Sequence, residues 1–205
     1  MEFDKTYFPY FNHFCIEKFG PDLGSAINDA AENILLKLLK EADYRNNKYI
    51  QWHMDTNMLP TIAIYMAFKK FEITAGKAYA YTDEALQPAR LINRRKNQAI
   101  GRLPFGYYAF KLFCRPAVIK QYPGQGWDIE WIRYDKHELH FNMNSCIYLE
   151  TTQKYHCAEM CPLFCANDDV ILSGYQPAIV FERKGTLALG QDVCDFHFKN
   201  QRYAK

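Results

Sequence analysis

The hydrophobic period of this sequence changes at Pro123-Gly124-Gln125-Gly126, and this change constrains the fold more than any other feature. Before it, apolar residues recur at the three- and four-residue spacing of amphipathic helices. After it, apolar and polar residues alternate, which is the pattern of a strand with one buried face. Helices followed by strand pairs predict an α+β protein with an antiparallel sheet.

Four helices are predicted before the change. They are Leu23–Ala42, Asn57–Phe71 with Asn57 as its cap, a helix from Thr82 to about Arg94-Arg95-Lys96, and Phe105–Phe113, which Pro116 stops. Leu23–Ala42 shows the clearest helical spacing of apolar residues. Side chains that can cap a helix, a hydroxyl or an amide, lie at predicted helix starts. Basic side chains, which the helix dipole favours at the C-terminal end, lie near predicted helix ends.

Four strands are predicted after the change, in segments near 127–133, 138–145, 178–188 and 193–199, with a helix over Cys146–Met160. We therefore predict a single α+β domain over residues 1–205. Residues 1–116 are mainly helical, and residues 124–199 hold the sheet and a cysteine-bearing helix. The helical N-terminal half is expected to pack on the sheet, which the C-terminal half mainly forms.

Composition and charge exclude several classes of protein. Aromatic residues make up 16% of the chain, which a disordered protein would not contain. The net charge of +2 is too small to indicate nucleic acid or a membrane surface as a partner. The basic run from Arg90 to Arg102 is interpreted as a solvated helix face. We expect a small-molecule substrate as the partner, and a homodimer is left open.

Cysteine usage indicates the compartment. The first residues lack a signal-peptide pattern, and the longest apolar run, Ile62–Phe68, is far shorter than the ~20 residues that span a bilayer. Seven cysteines, an odd number, predict reduced thiols and a cytoplasmic location.

The Cys161-Pro162 pair is the strongest local signal. Proline is favoured as the first residue of a helix, which would place Cys161 at the N-cap with extended backbone angles. Free N–H groups and the helix dipole would then lower the pKa of its thiol and make it reactive. The alternative is a buried structural cysteine, which is the more common role of this residue type.

Metal binding is not expected, and no cofactor is predicted. Cys157, Cys161 and Cys165 are four residues apart with a proline between them, whereas structural zinc usually takes closer cysteine pairs from loops. The Cys-x-x-Cys arrangement of dithiol enzymes is absent.

The last predicted strand places Cys194 on one face with Phe196 and Phe198, and Asp195 with His197 on the other. If the aromatic side chains fill the core, Cys194 lies beside them and Asp195 faces outward. If the sheet lines a cavity, Cys194 is on its wall.

Two segments together resemble the C-terminal signature of the L-2-amino-thiazoline-4-carboxylic acid hydrolase family. They are Glu159-Met160-Cys161-Pro162-Leu163-Phe164-Cys165-Ala166-Asn167-Asp168 and Phe181-Glu182-Arg183-Lys184-Gly185-Thr186-Leu187-Ala188-Leu189-Gly190-Gln191-Asp192-Val193-Cys194-Asp195-Phe196. The resemblance implies hydrolytic ring opening of a cyclic amidine carboxylate, which needs a nucleophile, a proton carrier and a cation for the carboxylate.

On this resemblance, the candidate catalytic residues are Cys161 or Cys194 as nucleophile and Asp168 or Asp195 for proton transfer. Arg183 is assigned to the substrate carboxylate, because a guanidinium binds it bidentately. Further substrate-binding candidates are Glu159, Cys165 and His140.

One cavity is expected to contain Cys161, Cys194, Asp195 and Arg183, with at least one thiol on its wall. The alternative function is a non-catalytic binding or sensing module similar to four-vinyl-reductase domains, whose cavity would be an apolar tunnel. A purely structural protein is disfavoured by the density of reactive groups.

Overall fold

The computed structural model of the chain describes residues 6–203. The chain divides into two compact units, Met1–Ala89 and Arg90–Lys205. The α+β prediction is confirmed, because helices precede a four-stranded antiparallel sheet formed by the C-terminal strands. The single domain over residues 1–205 stays a prediction. Among the described residues, every helix is too short or too polar to cross a membrane.

The first unit consists of helices, namely α1 (Phe8–Phe19), α2 (Pro21–Lys40), α3 (Lys48–His53), α4 (Leu59–Lys70) and the first part of α5 (Ala75–Gly101). α2 matches the predicted Leu23–Ala42 to within two residues at each end. Gly24 permits the close approach of α1 and α2, since a Cβ there would lie 2.6 Å from the Cys15 carbonyl oxygen. Ile27 and Leu35 of α2 are fully buried in this unit.

Two predicted helix starts are wrong. Asn47, rather than Asn57, is the cap, since its side chain accepts a hydrogen bond from the Tyr49 N–H at 2.9 Å. Asn57 lies in a π-helical turn that connects α3 to α4. Thr82 lies inside α5, where its hydroxyl donates to the Ala78 carbonyl at 2.7 Å instead of capping. A hydroxyl can bond the carbonyl of the preceding turn, so it does not mark a helix start by itself.

The second unit begins with the remainder of α5, followed by α6 (Gly106–Gln121), α7 (Ile147–Lys154) and α8 (Pro162–Leu172). Pro116 lies within α6, so the predicted stop there is wrong. Burial of Phe110 and Cys114 from the same helix outweighs the one backbone hydrogen bond that proline cannot donate. The helix predicted over Cys146–Met160 is shorter and ends at Lys154.

The basic residues that were predicted to form a solvated helix face differ in their exposure. Arg95, Lys96 and Arg102 are exposed, as expected. Arg90 is only 2% exposed, and its Nε donates to the Asn167 side chain. The spacing of charges along a helix does not distinguish a solvated arginine from one that enters the core, because a buried carbonyl partner can come from a distant segment.

The sheet has the strand order β1-β2-β4-β3 with antiparallel neighbours throughout. Its strands are β1 (Ile129–Tyr134), β2 (Glu138–Met143), β3 (Ile179–Glu182) and β4 (Cys194–Asn200). β3 is shorter than the predicted 178–188, since the chain leaves the sheet after Glu182 and makes a 3-10 turn at Leu187–Leu189.

The register gives the sheet an apolar face and a polar face. Phe141 is opposite Phe196, and Leu139 is opposite Phe198, so these side chains share the apolar face. Phe110 of α6 packs on Phe198 with ring centroids 5.0 Å apart. The polar face carries His140, Asn142, Asp195 and His197. The core of this unit therefore lies between the helices and the apolar face.

Candidate functional site

Cys161 does not have the predicted geometry. α8 begins at Pro162, as expected, but Cys161 has helical angles (φ −53°, ψ −37°) because a 3-10 turn, Ala158–Met160, leads directly into α8. Its side chain is therefore no cap, and the residue is 1% exposed. Burial raises the pKa of the Cys161 thiol well above its ordinary value, so the predicted low pKa is wrong.

The predicted arrangement occurs instead at Cys146, which sequence reasoning missed. Cys146 is the N-cap of α7 and has extended angles (φ −147°, ψ 113°). Burial raises the pKa of its thiol to about 11, although the N–H groups of Leu149 and Tyr148 lower it. The free N–H groups at the helix start thus lower the pKa of this thiol, but burial raises it by more.

Four thiols of the second unit form a cluster, in which each is close enough to affect the pKa of another. The cluster contains Cys146, Cys161, Cys165 and Cys194. Burial raises the pKa of all four, to about 12 for Cys165. The Leu187 N–H donates to Cys194 Sγ at 3.2 Å. At neutral pH these thiols are protonated, so none is a ready-made thiolate nucleophile.

Arg183 fixes α8 to the sheet beside this cluster. Its guanidinium lies over the rings of Phe181 and Phe196, at 5.6 and 5.3 Å from their centroids. Its Nη1 donates to Asp168 Oδ2 at 3.2 Å, and its Nη2 donates to Asp169 Oδ1 at 2.6 Å. Nη2 also donates to the Cys165 carbonyl. Because the side chain is only 4% exposed, this is a buried cation between two carboxylates.

Asp168 is a half-buried residue of α8 that lies beside the Arg183 guanidinium. Burial raises the pKa of its carboxyl to about 6, although Arg183 lowers it. Yet 39% of the side chain reaches solvent, whereas the guanidinium beside it is sealed. A carboxyl group with a pKa near neutrality that solvent can reach is suited to accept and release protons. We use the name Asp168 recess for the group of residues formed by Asp168, Arg183, Cys165 and Tyr122, which are linked by hydrogen bonds or by their effects on one another's pKa.

Tyr122 belongs to this recess and was also missed. Burial raises the pKa of its hydroxyl, and the next largest effects come from Asp168 and Cys146. Its ring packs edge-on against Trp127 at 5.1 Å. Tyr122 directly follows α6, so the period change at Pro123 could have directed attention to it, but nothing in the sequence pairs it with Asp168.

Asp195 holds the chain segment that follows β3 and lies on the polar face of the sheet. Its Oδ1 accepts hydrogen bonds from the N–H groups of Lys184 and Gly185, each at 2.8 Å, which holds the chain that follows β3. It is opposite Asn142 on the polar face, whereas Cys194 is opposite Met143 on the apolar face. The two side chains therefore leave the strand on opposite faces of the sheet, and the cavity expected to contain both stays a prediction.

His140 lies on the polar face of the sheet, whereas the Arg183 guanidinium packs on Phe196 of the apolar face. The His140 ring stacks on His197 at 4.7 Å on the polar face, and His197 Nε2 lies 2.6 Å from Glu138 Oε2. Burial and His197 lower the pKa of His140. Glu159 is exposed on the 3-10 turn before α8. Substrate roles for His140 and Glu159 remain predictions.

Of the predicted residues, the structure brings together Cys161, Cys165, Asp168, Arg183 and Cys194. Two cavities of the second unit have other linings. One, of about 360 Å³, includes Arg102 and Arg202, and one, of about 680 Å³, lies along α6. The predicted cavity beside Cys161 and Cys194 stays a prediction.

All seven cysteines are free thiols. Within residues 6–203, no three His, Cys, Asp or Glu side chains are grouped so that they could hold a metal ion. The Asp168 recess offers a carboxyl group, a guanidinium, a protonated thiol and a phenol, which suit acid–base chemistry on a polar small molecule.

Comparison with known proteins identifies the family. Residues 51–198 match the family model described as L-2-amino-thiazoline-4-carboxylic acid hydrolase. That segment contains α8, β3 and the whole Asp168 recess. No curated protein and no solved structure matches the chain. Because the match covers well over half of the 205 residues, the chain belongs to the L-2-amino-thiazoline-4-carboxylic acid hydrolase family.

Proposed function

We propose that this protein is a hydrolase that opens the ring of a small cyclic amidine carboxylate by cleaving a ring C–N bond, and that the Asp168 recess is its active site. One observation carries the proposal. The Asp168 carboxyl, with its pKa raised to about 6, is accessible to solvent beside a buried guanidinium. Family membership supports the class of reaction.

The Asp168 carboxylate acts as the general base. It accepts a proton from a water molecule as the water oxygen bonds to the amidine carbon. Asp168 returns this proton to the ring nitrogen. As the tetrahedral intermediate collapses, its hydroxyl becomes a carbonyl, the bond from this carbon to the ring nitrogen breaks, and the hydroxyl proton passes to that nitrogen. For an aminothiazoline carboxylate, one water is consumed, and the product is cysteine that carries a carbamoyl group on its sulfur.

Arg183 binds the substrate carboxylate in this proposal. The guanidinium is the fixed cation of the recess, and its Nη2 is 2.6 Å from the carboxylate of Asp169. The Asp169 side chain is 57% exposed, so it can move into solvent. A substrate carboxylate would take the place of the Asp169 carboxylate on the guanidinium and make the same charge-assisted hydrogen bond.

Attack by water fits the recess better than attack by a thiol. Burial raises the pKa of Cys161 and of Cys194, so each thiol would first have to lose a proton that it holds strongly at neutral pH. In the water route, the thiols near Asp168 stay protonated and carry no charge. A catalytic role for Cys161 or Cys194 as nucleophile is the alternative that the same assay distinguishes.

The test is ring opening of 2-amino-thiazoline-4-carboxylate by the purified protein, followed by liquid chromatography. Cleavage of the C–N bond releases an amine without a free thiol, so the product should react with ninhydrin and not with Ellman's reagent. Cys161→Ala and Cys194→Ala variants should keep kcat within about threefold of the wild type, since neither thiol reacts.

Three results would contradict the proposal. A free thiol without an amine would mean that the C–S bond breaks instead. A loss of about 10³-fold in kcat in either cysteine variant would assign the nucleophile to that thiol. Tight retention of an apolar ligand without turnover would favour the sensing module.

A further inference from the structure

α6 has an outward stripe that the core does not use. Tyr108, Leu112, Arg115 and Ile119 are spaced by four, three and four residues, so they lie on one side of the helix. Leu112 is 68% exposed and Ile119 is 59% exposed. Phe113, next to the stripe, is 67% exposed. Three large apolar side chains therefore protrude from one 16-residue helix.

The cations along this helix are held in position. The Arg115 guanidinium lies over the rings of Trp131 and Tyr134, at 5.3 and 5.6 Å from their centroids. The Lys111 ammonium lies 5.3 Å from the Tyr134 centroid. The Tyr134 hydroxyl also donates to the Lys111 carbonyl, which fixes the ring between helix and strand. Both cations are thus oriented before any partner arrives.

Between these groups lies a groove of about 680 Å³, and its lining includes Lys111, Arg115, Leu112 and Ile119. No Asp or Glu is among the described residues that line it. The sequence of α6 also carries Lys120 and contains no acidic residue. The surface therefore combines apolar side chains with positive charge only.

The combination of apolar and basic side chains indicates which kind of partner this surface would bind. A second copy of the chain placed symmetrically on the stripe would bring its own Lys111 and Arg115 against the same cations, which is unfavourable. A partner with an anionic surface and an apolar interior would bind the basic side chains at its surface and the apolar side chains in its interior. Lipid acyl chains accept Leu112, Phe113 and Ile119, and the long basic side chains reach the head groups.

We propose that α6 is a docking surface for an anionic lipid bilayer, with the outward stripe lying in the interface. Leu112, Phe113 and Ile119 enter the boundary between head groups and acyl chains. Lys111 and Arg115 bind lipid phosphates or carboxylates in the groove. The net charge of +2 does not oppose this, because a bilayer responds to the local charge of the face that it meets.

Vesicle sedimentation with the 205-residue chain tests the proposal. Phosphatidylcholine vesicles with about one third phosphatidylserine should bind the protein, and pure phosphatidylcholine should bind it at least about tenfold more weakly. Binding should weaken with added salt. The double variants Leu112→Ser/Phe113→Ser and Lys111→Glu/Arg115→Glu should each lower the partition coefficient at least about tenfold.

Matched controls use equally exposed residues elsewhere. Leu189→Ser removes a leucine that is 64% exposed, and Lys37→Glu/Lys40→Glu reverses two charges on α2. Both should bind vesicles as the wild type does. The proposal is overturned if anionic vesicles do not bind at low salt, or if the control variants lose binding to the same extent. It is also overturned if Leu112→Ser/Phe113→Ser instead dissolves a dimer, because the stripe is then a protein interface.

Discussion

Asp168→Asn is expected to lower kcat for ring opening by about 10²–10⁴-fold, the usual loss when a general base is removed. The amide has nearly the shape of the carboxyl and cannot accept the proton of the attacking water. Arg183 would keep Asp169 as a partner, so the variant should fold. Initial rates with the aminothiazoline carboxylate would measure the loss, and circular dichroism would check the fold.

Asp169→Asn is the matched control, since both carboxylates bond the same guanidinium. We expect its kcat to remain within about threefold of the wild type and its KM to stay equal or fall, because a competitor for Arg183 has lost its charge. Equal losses of kcat in the two variants would remove Asp168 from the role of base.

The pH dependence has a definite sign. The pKa of Asp168 is raised to about 6, and the base is the deprotonated form. kcat/KM should therefore be constant above pH ~7 and fall about tenfold per unit below pH ~6. Attack by a thiolate predicts a different profile, in which the rate keeps rising towards the high pKa of the thiol.

The second large effect is expected on stability. Arg183→Ala should lower the free energy of unfolding of the second unit by about 3 kcal/mol, near the lower end for loss of one partner of a buried ion pair. The lower end applies because both carboxylates still reach solvent. The substitution also removes the packing of the guanidinium over Phe181 and Phe196. Urea unfolding in a Trp52→Phe background would report mainly on Trp127 and Trp131 of that unit.

Arg133→Ala is the comparison for this effect. Arg133 also bonds two carboxylates, those of Asp135 and Glu138, but its side chain is 48% exposed. We expect little change in the urea midpoint, because solvent screens such pairs. If the two arginine variants shift the midpoint equally, the buried guanidinium is not what fixes α8 to the sheet.

The order of elements could be read from the sequence because each period is set by local geometry. The alternation around Phe141 and Phe196 required strands, and the spacing of α2 required a helix. Helix ends were less predictable where packing decided them. Pro116 is tolerated in α6 because neighbouring residues are buried, and burial depends on segments distant in the sequence.

The site was only partly predictable for a similar reason. The alternation of residues in the sequence already predicted that Cys194 and Asp195 lie on opposite faces of a strand. The pairing of β2 with β4 then showed that the aromatic face is the one in the core. The role of Cys161 was wrong because the rule for a residue before proline favours extended angles, whereas a 3-10 turn leading into α8 imposed helical ones. Nothing local in the sequence associates Tyr122 with Asp168, because the two residues are distant in the chain.

Binding of a substrate analogue tests the central claim most directly. Thiazolidine-4-carboxylate keeps the ring and the carboxylate and lacks the amidine carbon that water attacks. In spectra of the ¹⁵N-labelled wild-type protein, we expect this ligand to shift the signals of the backbone amides of Cys165–Asp169 and of the Arg183 side chain. Shifts confined to His140, His197 and their neighbours on the polar face, with Asp168 unaffected, would contradict the assignment of the Asp168 recess as the active site.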